Sequence, residues 1–231
     1  MKVEIYSDIV CPWCYIGDRR FARALEAFPG AAQVDVVYRP YQLDPDAPEE
    51  PLPVKSYLER RFGRPVDGML QRVSETAREE GIEVDWDRAL SVNTLTAHRL
   101  LRLAGTEHGA AVQHALLEKL FDAHFTRGGN VADHDLLADL AASAGMDRAR
   151  VREYLDSGEG LRETREELEH ARRIGVRAVP TFVFDGQYAV EGAQPASVFL
   201  RVLEEAASRS AGTDAARDGG AAACDDGVCA V

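Results

Sequence analysis

The chain has 231 residues, 45% of them hydrophobic, and a formal net charge of −12. That is enough apolar material for a packed core, and the acidic balance argues against nucleic acid as a partner, because phosphate binding needs a basic surface. No window reaches the roughly 18 apolar residues of a membrane span, so no membrane partner is expected either.

Lys2 to Ile9 alternates and reads as a strand. Tyr15 to Phe28 has helical spacing, with Phe21, Leu25 and Phe28 on one face and Pro29-Gly30 as its stop. Val34 to Tyr38 is β-branched and reads as a second strand. Strand, helix and strand in so short a span form a βαβ unit, which implies parallel pairing. Asp44 to Pro53 is rich in proline and acid and reads as a linker.

From Val54 to Ile174 the pattern is almost wholly helical. The expected helices are Val54–Phe62, Val66–Glu80, Asn93–Ala104, Ala110–Thr126, Asp133–Ala144, Asp147–Leu155 and Gly160–Ile174, with Ile82–Trp86 as an extended link. Such a block is expected to form a small bundle of its own. Ala178 to Phe184 is strand-like, Asp185-Gly186 is a hairpin signal, Tyr188 to Val190 returns, and Gln194 to Ala207 closes as a helix. Beyond Ser208 the composition shifts to Ala, Gly, Asp and Ser, and reads as a flexible tail.

The expected fold class is therefore α/β: a thioredoxin-like core (residues 1–53 and 175–209, discontinuous) with an all-α helical insertion (54–174), followed by the tail (210–231). The N-terminus enters a charged strand carrying Lys2, Glu4 and Asp8, without the apolar h-region of a secretory leader. The expected compartment is the cytoplasm, where structural disulfides are rare and close cysteine pairs are more often catalytic or metal-binding.

The four cysteines form two close pairs. Cys11-Pro12-Trp13-Cys14 lies where the first strand hands over to the first helix. There the unpaired N–H groups and the helix dipole favour negative charge, and the thiolate is the form that attacks disulfides. Cys11, nearest the helix tip, is expected to be the exposed, acidic nucleophile, and Cys14, one turn in, the buried resolving thiol. Pro12 suits the first helical position because its missing N–H costs nothing there. Trp13 offers an apolar surface for substrate. Asp8, three residues before Cys11, either caps the helix or tunes the thiol, and capping is the expectation.

Val179-Pro180 reads either as a cis-proline loop that faces the dithiol and lends the Val179 backbone to a substrate strand, or as a trans proline opening an edge strand. Cys224 and Cys229, separated by Asp225-Asp226-Gly227-Val228, read as a second redox pair that exchanges with Cys11; an idle tail and a soft metal chelator are the alternatives. The six histidines are scattered, and His98 reads as a packed or surface histidine rather than a ligand. No resident cofactor or metal is expected.

At these residues the chain resembles the DsbA family of thioredoxin-like oxidoreductases, and most closely its FrnE-type subgroup of cytoplasmic members. The resemblance rests on Ser7-Asp8-Ile9-Val10-Cys11-Pro12-Trp13-Cys14, Asn93-Thr94, Ala97-His98-Arg99, Gly175 to Phe182, and Glu191-Gly192-Ala193-Gln194. It implies Cys11 as nucleophile, Cys14 as resolver and Pro180 in cis. The same superfamily holds glutathione-dependent 2-hydroxychromene-2-carboxylate isomerases and kappa-class glutathione transferases, which have a serine in the place of Cys11 and lack the second cysteine. Asn93 matches a ligand-binding asparagine of that branch and enters as a substrate-site candidate.

The expected function is thiol–disulfide exchange on protein disulfides (as oxidase, reductase or isomerase) through a mixed disulfide at Cys11, with protein thiols or glutathione as redox partner. The alternatives are a glutathione-dependent isomerase or polyketide-tailoring oxidoreductase acting on small molecules, and a metal-binding or chaperone-like module in which four thiols hold zinc. The oligomeric state is not legible in the sequence.

Overall fold

The computed structural model describes residues 1–218, with side chains through 209. Four strands form one sheet: β1 (Lys2–Ser7), β2 (Asp35–Pro40), β5 (Thr181–Phe184) and β6 (Tyr188–Glu191), in the order β2-β1-β5-β6. β1 and β2 run parallel, as the connecting helix α1 (Pro12–Ala27) requires, and the other pairings are antiparallel. Val3 pairs with Phe184 and Ile5 with Phe182, so all four side chains share one face of the sheet. Phe21 of α1 and Phe199 of the closing helix α9 (Ala196–Asp218) pack on Phe182 there, at centroid distances of 5.3 and 4.4 Å.

Seven helices lie between β2 and β5: α2 (Val54–Phe62), α3 (Asp67–Glu79), α4 (Leu95–Leu103), α5 (Ala110–Phe125), α6 (His134–Ser143), α7 (Arg148–Asp156) and α8 (Leu161–Arg173). Asp133 and Asp147 cap α6 and α7 by accepting from the backbone N–H of Leu136 and Arg150. These helices do not form the separate bundle expected of them. Leu100, Leu116 and Phe121 belong to the same buried cluster as Ile5, Tyr15 and Phe182. The reason is placement. α4, α5 and α8 lie against β2, and α5 also lies against α1, so their apolar faces are buried on the thioredoxin-like core. Tyr15 of α1 stacks on Phe121 of α5 at 4.9 Å.

Three local expectations differ. The linker ends in a short strand, β3 (Leu52–Pro53), paired with β4 (Leu90–Ser91); at two residues each, neither shows a period. A π-helical turn (Ala104–His108) separates α4 from α5. α9 runs on to Asp218, past the expected boundary at 209, because its Ala-rich composition is helix-forming and the first Gly-Gly comes at 219. Cys224 and Cys229, the expected second redox pair, lie outside the described residues. No helix among the described residues is long and apolar enough to cross a membrane.

Candidate active site

Cys11 is the residue that opens α1, in extended conformation, and Pro12 is the helix's first residue. The backbone turn is closed by Cys11 N–H donating to the Asp8 carbonyl (3.1 Å) and by Cys14 N–H donating to that of Cys11 (3.0 Å). Both thiols are free. The Val179–Pro180 bond is cis, and the Val179 carbonyl lies 3.7 Å from Cys11 Sγ, within reach of a thiol hydrogen bond. The trans reading is thereby excluded, and the two stretches that the sequence singled out form one site. Trp13 stands beside it, 40% exposed.

The exposed nucleophile is a correction. Cys11 is 3% exposed, little more than Cys14 at 2%. The 179–180 loop, itself buried, covers the sulfur from the far side of the chain. Burial, and then the hydrogen bond and charge of Cys11, push the Cys14 thiol well above its ordinary value. Cys14 thus holds its proton in the resting site.

Asp8 is also a correction. The helix has no side-chain cap. The Asp8 carboxylate is 1% exposed and accepts from the Leu43 N–H (2.8 Å), while its other oxygen lies 3.2 Å from His98 Nε2. Its backbone N–H donates to Cys14 Sγ at 3.5 Å. The side chain turns inward because α4 supplies a buried histidine to meet it, and a carboxylate buried without such partners is costly.

Asn93 sits at the entry to α4 with its amide committed. Its Oδ1 accepts from Leu95 N–H (2.9 Å) and Gln42 Nε2 (3.0 Å), and its Nδ2 donates to the Pro45 carbonyl (2.9 Å). It fixes the 42–48 segment against α4 and has little left to offer a substrate.

Sequence reasoning missed the buried polar groups on α5. His124 is buried, its Nδ1 has no partner, and burial lowers its pKa to about 4 against a small opposing pull from Asp8. Asp18, one turn beyond Cys14, is also buried; Tyr38 Oη donates to it at 2.5 Å and His114 Nε2 lies 3.3 Å away. Asp18, His114 and Glu118 could offer ligand atoms to an ion, yet each is already engaged, Glu118 by Arg19 at 2.9 Å. These groups read as a clamp between α1, β2 and α5.

A model of the DSBA-like thioredoxin domain matches residues 2–204. The chain belongs to the DSBA-like thioredoxin domain family. The probable DsbA oxidoreductase SCO1869 of Streptomyces coelicolor is 36% identical, with a TM-score of 0.82 over 89% of each chain. The uncharacterised protein YwbO of Bacillus subtilis is 26% identical over 89% of this chain and 96% of its own. The cytosolic disulfide reductase DsbM of Pseudomonas aeruginosa, at 19% identity and TM-score 0.61, covers 89% of this chain and 98% of its own, and shares the fold. In this DSBA-like domain the Cys11 thiol meets the Val179 carbonyl, and Cys14 lies one turn further along α1.

Proposed function

We propose that this chain is a thiol–disulfide oxidoreductase acting through a mixed disulfide at Cys11, which Cys14 resolves. The observation that carries the reading is the contact of Cys11 Sγ with the Val179 carbonyl, with Cys14 one turn behind it on α1. Cys11 attacks one sulfur of a substrate disulfide and the other sulfur leaves as a thiolate; Cys14 then attacks Cys11 and releases the substrate thiol. Cys11 stands at the N-terminus of α1, where Pro12 begins the helix. The Val179 backbone is the edge along which an extended substrate chain would lie, and Trp13 the apolar surface beside it. The reading includes a FrnE-type place in the family, a cytoplasmic setting, and Cys224 and Cys229 as a pair that exchanges with Cys11.

The test is to trap partners from cell extract with Cys14→Ser, using Cys11→Ser as the blank. Mixed disulfides on the first variant and none on the second are expected. Equal insulin reduction by wild type and Cys11→Ser would overturn the reading.

The coverage of Cys11 favours a second reading, in which the sulfur meets a small thiol rather than a folded protein. The DsbM structure was also solved with glutathione, and a 2-hydroxychromene-2-carboxylate isomerase shares the fold at 20% identity and TM-score 0.65. Glutathione is then the redox partner. Intact-mass detection of one glutathione on Cys14→Ser, with no trapped protein, is the outcome that selects this reading.

A further inference from the structure

The chain carries 39 acidic and 27 basic residues, yet the stretch that leads into the Val179–Pro180 loop is basic. Arg172 and Arg173 stand on the last turn of α8, Ile174 follows as its cap residue, and Arg177 lies two residues before Val179. All four are exposed, Ile174 by 50%. Gly175, at φ 93°, turns the chain out of the helix, and the Val176 N–H donates back to the Ala171 carbonyl at 3.0 Å. Val176 and Val179 are both buried, so the exposed residues between them are anchored at each end.

Other arginines of the insertion are engaged by acids: Arg102 by Glu167 at 3.1 Å, Arg150 by Glu159 at 2.7 Å and Arg162 by Glu166 at 2.6 Å. Arg172 and Arg177 meet no carboxylate among the described residues, and Arg173 meets only His170 Nδ1, at 3.3 Å. The carbonyl end of α8 favours cations in its last turn, which gives Arg172 and Arg173 a structural use. That use does not extend to Arg177, which lies outside the helix. Nor does it account for an isoleucine left half-exposed among the arginines. The exposed acids nearest in position are Glu169, on α8 itself, and Glu191, which pairs with Thr181 across the β5–β6 hairpin. The charge therefore changes sign across the loop, basic towards Arg177 and acidic towards Glu191.

We propose that this surface selects acidic polypeptide segments as the substrates of Cys11: an extended chain on the Val179 backbone sets its own Asp or Glu residues against Arg177 and the end of α8, and an apolar residue on Ile174. The inference rests on the exchange reading of Cys11 and names the substrate class of that site. The Val179 carbonyl is 3.7 Å from Cys11 Sγ, and Arg177 follows two positions along the chain. An acidic residue about two positions from the substrate's reacting sulfur thus falls opposite Arg177, since paired extended chains keep the same rise per residue. The net charge of −12 repels acidic partners at long range. A local basic surface beside the reacting sulfur offsets that repulsion and raises the rate of correctly oriented encounters. The arginines take no part in the bond changes; they set which chain is held while Cys11 attacks.

The test mixes reduced full-length protein with short single-cysteine peptides activated as 2-thiopyridyl disulfides, their cysteine flanked by Glu, Gln or Lys. Cys11 attacks the peptide sulfur, the mixed disulfide forms, and uncharged pyridine-2-thione leaves and is followed by absorbance. For wild type at low ionic strength the Glu peptide is expected to react about tenfold faster than the Lys peptide, with Gln between, and the spread to close in about 1 M salt. In the variant carrying Arg172→Gln, Arg173→Gln and Arg177→Gln, the ratio of the Glu to the Gln rate is expected to fall to about one. A ratio taken within one variant cancels any change in Cys11 itself. Arg177→Gln alone, outside the helix, keeps the test alive if the triple variant loosens the end of α8; the same ratio is expected to fall part of the way. Arg201→Gln, exposed on α9, is the single-charge control and should keep the wild-type ratio. A wild type that reacts alike with all three peptides, or a preference that survives in the triple variant, overturns the inference. So does a loss confined to glutathione disulfide with the peptide ratios unchanged, which assigns the arginines to a small thiol. Thione release by Cys11→Ser as fast as by wild type removes the exchange reading and this inference with it; release that needs Cys11 but ignores peptide charge removes this inference alone.

Discussion

Cys11 and Val179 lie 168 residues apart in the chain, and the thiol of one meets the carbonyl of the other at 3.7 Å. The contact joins the two halves of the site and also covers the sulfur, since Cys11 is only 3% exposed. Reactivity here depends on two separate quantities: the fraction of thiolate and the fraction of time the loop leaves room.

The second quantity is measurable by reagent size. Iodoacetamide is expected to label Cys11, and a bulky maleimide to label it much more slowly. The ratio of the two rates should exceed that for glutathione by about tenfold, equivalent to roughly 1.4 kcal/mol of opening cost. Cys14 should stay unmodified until the protein unfolds. Equal ratios for Cys11 and glutathione would show that the loop is no barrier.

His114 gives stability a pH dependence of one sign. Its hydrogen bond to Asp18, opposed by burial, raises its pKa above the ordinary value. The folded state therefore binds the proton more tightly than the unfolded one. Its contribution is complete below about pH 6.5 and is lost as pH rises through the raised value. The ring is partly exposed, which keeps the effect below about 1 kcal/mol. His114→Gln should narrow the gap to wild type as pH rises from about 6 to about 8, read from paired thermal melts. A gap that stays constant over that window would contradict the assignment.

His124, on the same helix, works in the opposite direction. Burial holds its pKa at about 4, so the unfolded chain takes up a proton that the folded chain refuses. Stability should fall as pH drops from about 6.5 towards 4, by about 3 kcal/mol in all. His124→Leu removes this loss. It also removes an unpartnered buried nitrogen, and should gain about 1 kcal/mol at neutral pH. Urea midpoints at neutral and mildly acid pH test both; an unchanged acid slope in the variant would place the loss elsewhere.

The sheet, α1 and the insertion helices were legible because each carries a local period and a clear boundary, such as the stop at Pro29-Gly30 or the starts at the capping Asp133 and Asp147. The cysteines and Pro180 were legible because their neighbours mark a strand-to-helix junction and a loop. The Asp8–His98 contact spans 90 residues, and the Asp18–His114 contact 96. No local pattern announces either. An aspartate at that spacing from the helix start looks like a cap, and only the arrival of α4 turns it inward. The coverage of Cys11 was hidden for the same reason: it depends on where a distant loop packs, not on the Cys-x-x-Cys spacing.

Gly17 offers a way to move that loop from beneath. It lies on α1, and a Cβ placed there would meet Pro180 Cγ at 2.8 Å, with Ala193 Cα and Phe182 Cζ both at 3.5 Å. Proline is a ring and cannot swing aside as a long side chain does, so the loop or the helix must shift. Alanine is otherwise the better helix former by up to about 1 kcal/mol, so on helix propensity alone Gly17→Ala should stabilise. The close approach predicts the reverse, a loss of about 1–3 kcal/mol from overpacking. Pro180 is bonded to the residue that covers Cys11, so the same shift should expose the sulfur and bring the bulky maleimide rate towards the small-reagent rate. Loss of stability without faster labelling would mean that α1 moves and the loop stays. A stable variant with unchanged labelling would mean that the contact under Pro180 is too soft to set access to the thiol.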